Sequence, residues 1–92
     1  MKKVKKVVHS IRNAQVNSAV FAIQAESKVE KDALAEFTDE LSELFDDFVQ
    51  VYSSRFPDDV IIMDDIVMYK GSPASLLKEF VEDLDNFYEV LE

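Results

Sequence analysis

The stretch from Asp32 to Asp47, DALAEFTDELSELFDD, carries seven carboxylates: Asp32, Glu36, Asp39, Glu40, Glu43, Asp46 and Asp47. No Lys or Arg stands between Lys31 and Arg55. Wound as an α-helix at about 100° per residue, these acids fall within one face roughly 120° wide. Leu34, Phe37, Leu41, Leu44, Phe45, Phe48 and Tyr52 gather on the opposite face. Such a two-sided pattern allows few folds: the segment is a helix with one side for a core and the other a continuous strip of negative charge.

The strip is costly to the helix that bears it. Neighbours at i,i+3 or i,i+4 stand about 5–6 Å apart, and each like-charged pair destabilises a helix by roughly 0.2–0.5 kcal/mol. Seven such pairs run from Asp32/Glu36 to Glu43/Asp47. Together they remove up to about 1.5–3.5 kcal/mol at low salt, from a domain stability of about 5–15 kcal/mol. Interleaved lysines would keep the helix soluble without that loss, so the single sign points to a use. Over about 22 Å of helix axis the charges repeat roughly every 3–4 Å, close to the ~3.4 Å per charge along one DNA strand. The plainer reading is a solvated acidic face with no partner.

With 92 residues, 48% of them hydrophobic, the chain is sized for a single domain, residues 1–92, with an adequate core. The absence of cysteine excludes disulfides, thiolate zinc sites and a thiol nucleophile, and is in keeping with a reducing cytoplasm. Net charge is −9, unevenly spread: residues 1–12 hold Lys2, Lys3, Lys5, Lys6 and Arg12 without an acid, and the remainder carries −14. A body so negative is repelled by nucleic acid and anionic membranes and drawn to basic protein surfaces. The basic start does not lead into a secretory signal, because the uninterrupted apolar run is only Ala19–Ile23. No stretch approaches a membrane span.

In chain order, Val4, Val7, Val8 and Ile11 predict a short amphipathic helix over about 3–14 with a lysine-rich outer face. From Asn17 to Ala25, the apolar Ala19, Phe21 and Ile23 alternate with Val20, Ala22 and Gln24, which favours a strand. Its rival is one unbroken helix from Lys3 to Gln24, since alanine-rich sequence favours helix and no Gly or Pro interrupts it. Ser27 with Glu30 forms a capping-box pattern ahead of a long helix reaching about Ser54, ended by Phe56-Pro57-Asp58-Asp59. VIIM and IVMY around Asp64-Asp65 suit a tight hairpin or one bulged strand. After the break at Lys70-Gly71, Ser72 is placed as an N-cap and Pro73 as the first residue of a last helix reaching about Leu91. That helix is expected to bury Leu76, Leu77, Phe80, Val81, Leu84, Phe87, Tyr88 and Leu91, and to expose Glu79, Glu82, Asp83, Asp85, Glu89 and Glu92. The expected fold is α+β in the order α-β-α-β-β-α, a small antiparallel sheet with two long acidic amphipathic helices.

Catalytic patterns are missing. The one histidine, His9, sits in the basic helix without triad partners, and a single glycine rules out phosphate-cradling loops. Asp58-Asp59 and Asp64-Asp65 could offer oxygens to a hard cation, but they lie where turns are expected and turn chemistry accounts for them. Neither enzymatic activity, nor a cofactor, nor a metal is expected. The aromatics lie mainly on the apolar stripes, with Tyr52, Phe56, Tyr69 and Tyr88 near element ends where a protein interface could use them.

A small, cysteine-free, strongly acidic chain with two carboxylate-lined helices resembles the DNA-mimic proteins that phages direct against host DNA-binding proteins. In length and layout it is most similar to the anti-restriction proteins of T4-type phages. The likeness rests on the strips Asp32–Asp47 and Glu79–Glu92 and on the acidic turns Asp58-Asp59 and Asp64-Asp65. It is a likeness of charge geometry rather than of signature motif, and the basic N-terminal arm departs from it. The resemblance implies a non-catalytic cytoplasmic inhibitor whose carboxylates replace phosphates in the DNA site of a restriction nuclease or nucleoid protein. A homodimer is expected as well, since one acidic helix spans only about six base pairs and a two-fold partner would double the track. Two other readings stand beside it: a barstar-like nuclease inhibitor or immunity protein acting through a few carboxylates, and an acidic adaptor or structural subunit.

Overall fold

The computed structural model describes residues 3–59 and 66–91. These form three helices, α1 (Lys3–Gln24), α2 (Lys28–Arg55) and α3 (Pro73–Leu91), with no strand among the described residues. The α+β expectation is therefore overturned. Of residues 17–25, expected as a strand, 17–24 are the last two turns of α1, and the helical rival is the correct reading. Val7, Ile11, Ala14 and Ser18 are buried and Phe21 half-buried, a 4-3-4-3 spacing that belongs to a helix packed along one seam. The alternation from Ala19 to Ile23 was incidental: Ile23 is 78% exposed and contributes nothing to a sheet face.

The helix ends follow their capping residues. Ser27 Oγ accepts the Glu30 N–H at 3.2 Å and the Ser27 carbonyl accepts the Lys31 N–H at 2.9 Å, which satisfies donors that begin α2. At its other end the Phe56 N–H reaches the Tyr52 carbonyl at 2.9 Å, one residue before Pro57 breaks the pattern. Ser72 Oγ accepts the Ser75 N–H at 3.1 Å to open α3, with Pro73 as its first residue.

α1 and α2 form an antiparallel hairpin joined by Ala25, Glu26 and Ser27. Its register is visible in three facing pairs. The Arg12 guanidinium lies 5.7 Å from the Phe45 ring centre, Gln15 Nε2 donates to Ser42 Oγ, and the Ser18 and Thr38 hydroxyls meet at 2.7 Å. Ser18 and Thr38 also lie within reach of the carbonyls of Gln15 and Leu34, so each hydroxyl has an acceptor for its one hydrogen within the helix pair. The core consists of Val7, Val8, Ile11 and Ala14 from α1, Leu41, Phe48 and Tyr52 from α2, and Leu76 and Phe80 from α3. Each such large apolar side chain contributes about 1.5–3 kcal/mol by burial.

α3 rests chiefly on α1 and touches α2 through ring pairs, Phe37–Phe80 at 5.7 Å and Phe48–Tyr88 at 6.0 Å between centres. It consequently buries a narrower face than its periodicity predicts. Leu76 and Phe80 are buried and Leu84 and Phe87 half-buried, but Leu77, Val81 and Tyr88 are 38%, 61% and 48% exposed.

Of the expected hairpin, residues 60–65 lie outside the described residues. Residues 66–70 are a strap that pairs with no strand; its main chain is held by two asparagines one helical turn apart on α1. Asn13 Oδ1 accepts the Val67 N–H at 3.0 Å, Asn17 Nδ2 donates to the Val67 carbonyl at 2.9 Å, and Asn17 Oδ1 accepts the Tyr69 N–H at 2.8 Å. Two side-chain amides thus supply the hydrogen bonds that a neighbouring strand would provide.

Candidate functional site

The seam that buries Leu34, Leu41, Phe48 and Tyr52 against α1 turns the other side of α2 outward, and the seven carboxylates of the strip, Asp32, Glu36, Asp39, Glu40, Glu43, Asp46 and Asp47, are all exposed. Asp32 is paired with Lys28, one turn earlier, at 3.1 Å. The other six have no ion pair among the described residues. From Glu36 to Asp47 they span about 16 Å of helix axis, on a molecule whose Cα extents are 44 × 24 × 21 Å.

The second expected strip is divided. Glu82, Asp85 and Glu89 face outward from α3, whereas Glu79 and Asp83 turn toward the strap. There they line a cleft of about 360 Å³ with Asn13, Asn17, Tyr69 and Lys70. Partial burial, and after it the Glu79 carboxylate, holds the Tyr69 hydroxyl above its ordinary pKa, with Ser75 acting in the opposite direction.

Of the acidic turns, Asp58 is exposed, and Asp59 closes the end of α2: its N–H donates to the Phe56 carbonyl at 3.1 Å and its carboxylate accepts the hydroxyl of the buried Tyr52. Asp59 is a turn and capping residue rather than a free charge. Asp64 and Asp65 lie outside the described residues. Arg12, assigned to the basic arm, is turned onto Phe45 and bonded to Gln15 at 3.0 Å. Tyr52, expected near an interface, is fully buried, while Tyr88 is half exposed.

Between α2 and α3 runs a furrow of about 220 Å³ lined by Phe37, Leu41, Leu44, Phe80, Leu84 and Tyr88, with Glu40 on its lip. Periodicity placed these apolar residues in the core and so missed the furrow. The available signal was that the apolar positions of α3 cover a wider arc than one neighbouring helix can bury.

Among the described residues no three of His, Asp and Glu come together as a metal-binding group, and no helix is long and apolar enough to cross a membrane. Comparison of the chain with protein-family models, curated proteins and solved structures returns no match.

Proposed function

We propose that this protein is a non-catalytic DNA mimic, acting in the cytoplasm on a basic DNA-binding protein such as a restriction nuclease or a nucleoid protein. One observation carries the reading: Glu36, Asp39, Glu40, Glu43, Asp46 and Asp47 form an exposed track on one face of a 28-residue helix, with no cation of this chain paired to them among the described residues. A surface kept negative in this way at the expense of helix stability is suited to a target that normally holds a phosphate backbone. The likeness to phage DNA mimics rests most firmly on α2, with Glu82, Asp85 and Glu89 as a shorter second row. Two copies related by a two-fold axis would lengthen the track, and light scattering at high micromolar concentration is expected to give the dimer mass.

The direct test combines affinity capture and neutralisation. Basic DNA-binding proteins are expected to be retained from a bacterial lysate at low salt and released at high salt. Replacing Glu36→Gln, Asp39→Asn, Glu40→Gln and Glu43→Gln together should abolish inhibition of the captured target's DNA binding while the helix content stays unchanged. Full inhibition by that variant would leave the strip as a solvated face and end the proposal. Alanine scanning separates a mimic, whose losses are spread over many acids, from a barstar-like plug, whose losses fall on a few.

A further inference from the structure

The furrow between α2 and α3 has no role in phosphate mimicry, because a surface that imitates DNA does not require apolar side chains along its length. Leu41 and Phe80 are buried in its floor, Phe37 and Leu44 rise from α2, and Leu84 and Tyr88 from α3. Leu77 and Val81 prolong the α3 wall, at 38% and 61% exposure. Positions 77, 81, 84 and 88 are spaced 4-3-4 and so form a continuous stripe about 16 Å long on one side of the helix. On α2, positions 37 and 44 repeat at two helical turns. Two apolar ridges with a depression between them are the seat that ridge-into-groove packing gives a further helix.

Charge selects the occupant. Glu40 stands on the α2 lip with Glu36, Glu43 and Asp47 beyond it, and Glu82, Asp85 and Glu89 lie beyond the α3 wall, with Lys78 the one cation on that side among the described residues. An apolar floor between two acidic margins is complementary to an apolar ridge flanked by Lys and Arg. A second copy placed here would oppose acids to acids on both margins. An extended peptide would find no main-chain partner, because both walls are helices whose internal amides are already bonded along their own axes. A helix brings its own satisfied backbone.

We infer that the α2–α3 furrow is a docking site for a cationic amphipathic helix of the partner protein, about three to four turns long. The inference rests on the reading of the partner as a basic protein, and adds that an apolar helix face, and not charge alone, decides which basic protein is held.

The test uses the full chain and a fluorescein-labelled synthetic peptide of about 18 residues, Leu at i, i+3, i+4 and i+7 and Lys or Arg elsewhere. Its control is a scramble of the same composition without an apolar face. Fluorescence anisotropy is expected to give at least about tenfold tighter binding of the amphipathic peptide, with NMR shifts at the Val81 and Leu84 methyl groups locating it in the furrow. Val81→Ser alone, at a position 61% exposed, should weaken that preference, and Val81→Ser with Tyr88→Ser, compared at matched helix content by circular dichroism because Tyr88 also packs on Phe48, should remove it but keep the weak affinity common to both peptides. Equal binding of the two peptides overturns the docking site and leaves the acidic strip standing. Binding of neither overturns the docking site and also counts against attraction of basic partners by the strip. If sedimentation shows a dimer of the free protein that Val81→Ser with Tyr88→Ser dissociates, a second copy is the occupant and the inference is wrong.

Discussion

Asn17 Oδ1 and the Tyr69 N–H meet at 2.8 Å across 52 residues of chain, and the same Asn17 side chain donates to the Val67 carbonyl at 2.9 Å. The strap is fixed to α1 through this amide, which is itself almost fully buried. Each bond of this kind contributes about 0.5–1.5 kcal/mol. Asn17→Ala should therefore cost about 1–3 kcal/mol in urea unfolding, and Asn13→Ala, with its single bond to the strap, less. Amide exchange at Val67 and Tyr69 should accelerate in Asn17→Ala more than exchange in α2.

Tyr69 predicts a dependence on alkaline pH. Its hydroxyl is raised above the ordinary value of 10.0, by burial first and then by Glu79. The folded state thus keeps its proton at a pH where the unfolded chain has begun to release one. That contribution to stability is complete below pH 10 and lost as pH rises through the higher folded value. Tyr69→Phe should flatten the fall in melting temperature above pH 10, and Glu79→Gln should lower the ultraviolet titration midpoint of Tyr69.

The acidic track predicts that neutralisation stabilises. The quadruple change at Glu36, Asp39, Glu40 and Glu43 touches every one of the seven like-charge pairs on α2. It should raise stability at low salt by up to about 1.5–3.5 kcal/mol, with a smaller gain near 1 M salt. Calorimetry at the two ionic strengths checks this. The complex with a DNA-binding target should also lose affinity with salt less steeply than the target's own DNA complex, because a small folded body releases fewer condensed ions than a duplex.

Gly71 is required by its neighbour. A Cβ there would stand 2.7 Å from Tyr69 Cε1, and the Tyr69 ring is in edge contact with Phe21 at 6.3 Å between centres. Gly71→Ala should cost about 1–3 kcal/mol by overpacking. In a double-mutant cycle with Tyr69→Leu most of that loss should vanish, since the clash is with the ring.

How far the sequence discloses this molecule depends on whether a residue's partner is local. Ser27, Ser72, Pro73 and Pro57 mark the bounds of α2 and α3 because capping and proline effects act within one turn, and the outward carboxylates of α2 follow from its own periodicity. Asn13, Asn17 and Ser18 mislead, since their partners lie on α2 and the strap; as isolated polar residues they interrupt an apolar pattern and imitate the end of a helix. The exposure of Val81 and Tyr88 is likewise invisible to periodicity, which reports which side of a helix is apolar but not how much of that side another helix covers. The split of Glu79 and Asp83 from Glu82, Asp85 and Glu89 has the same origin: the strap defines it.

The connection between α1 and α2 is three residues long, whereas the chain must cross residues 56–72 before α3 can return to α1. Short loops close at the smaller entropy loss, and contacts near in sequence form sooner. The two-helix hairpin is accordingly the early-folding unit, with α3 and its strap joining last. The order of opening in the native state is expected to be the reverse, with α3 lifting away below the free energy of global unfolding and its amides exchanging faster than those of α1 and α2. One wall of the furrow is then carried by the element that yields most readily, and the seat can widen for a bulky side chain while the acidic track on α2 keeps its spacing.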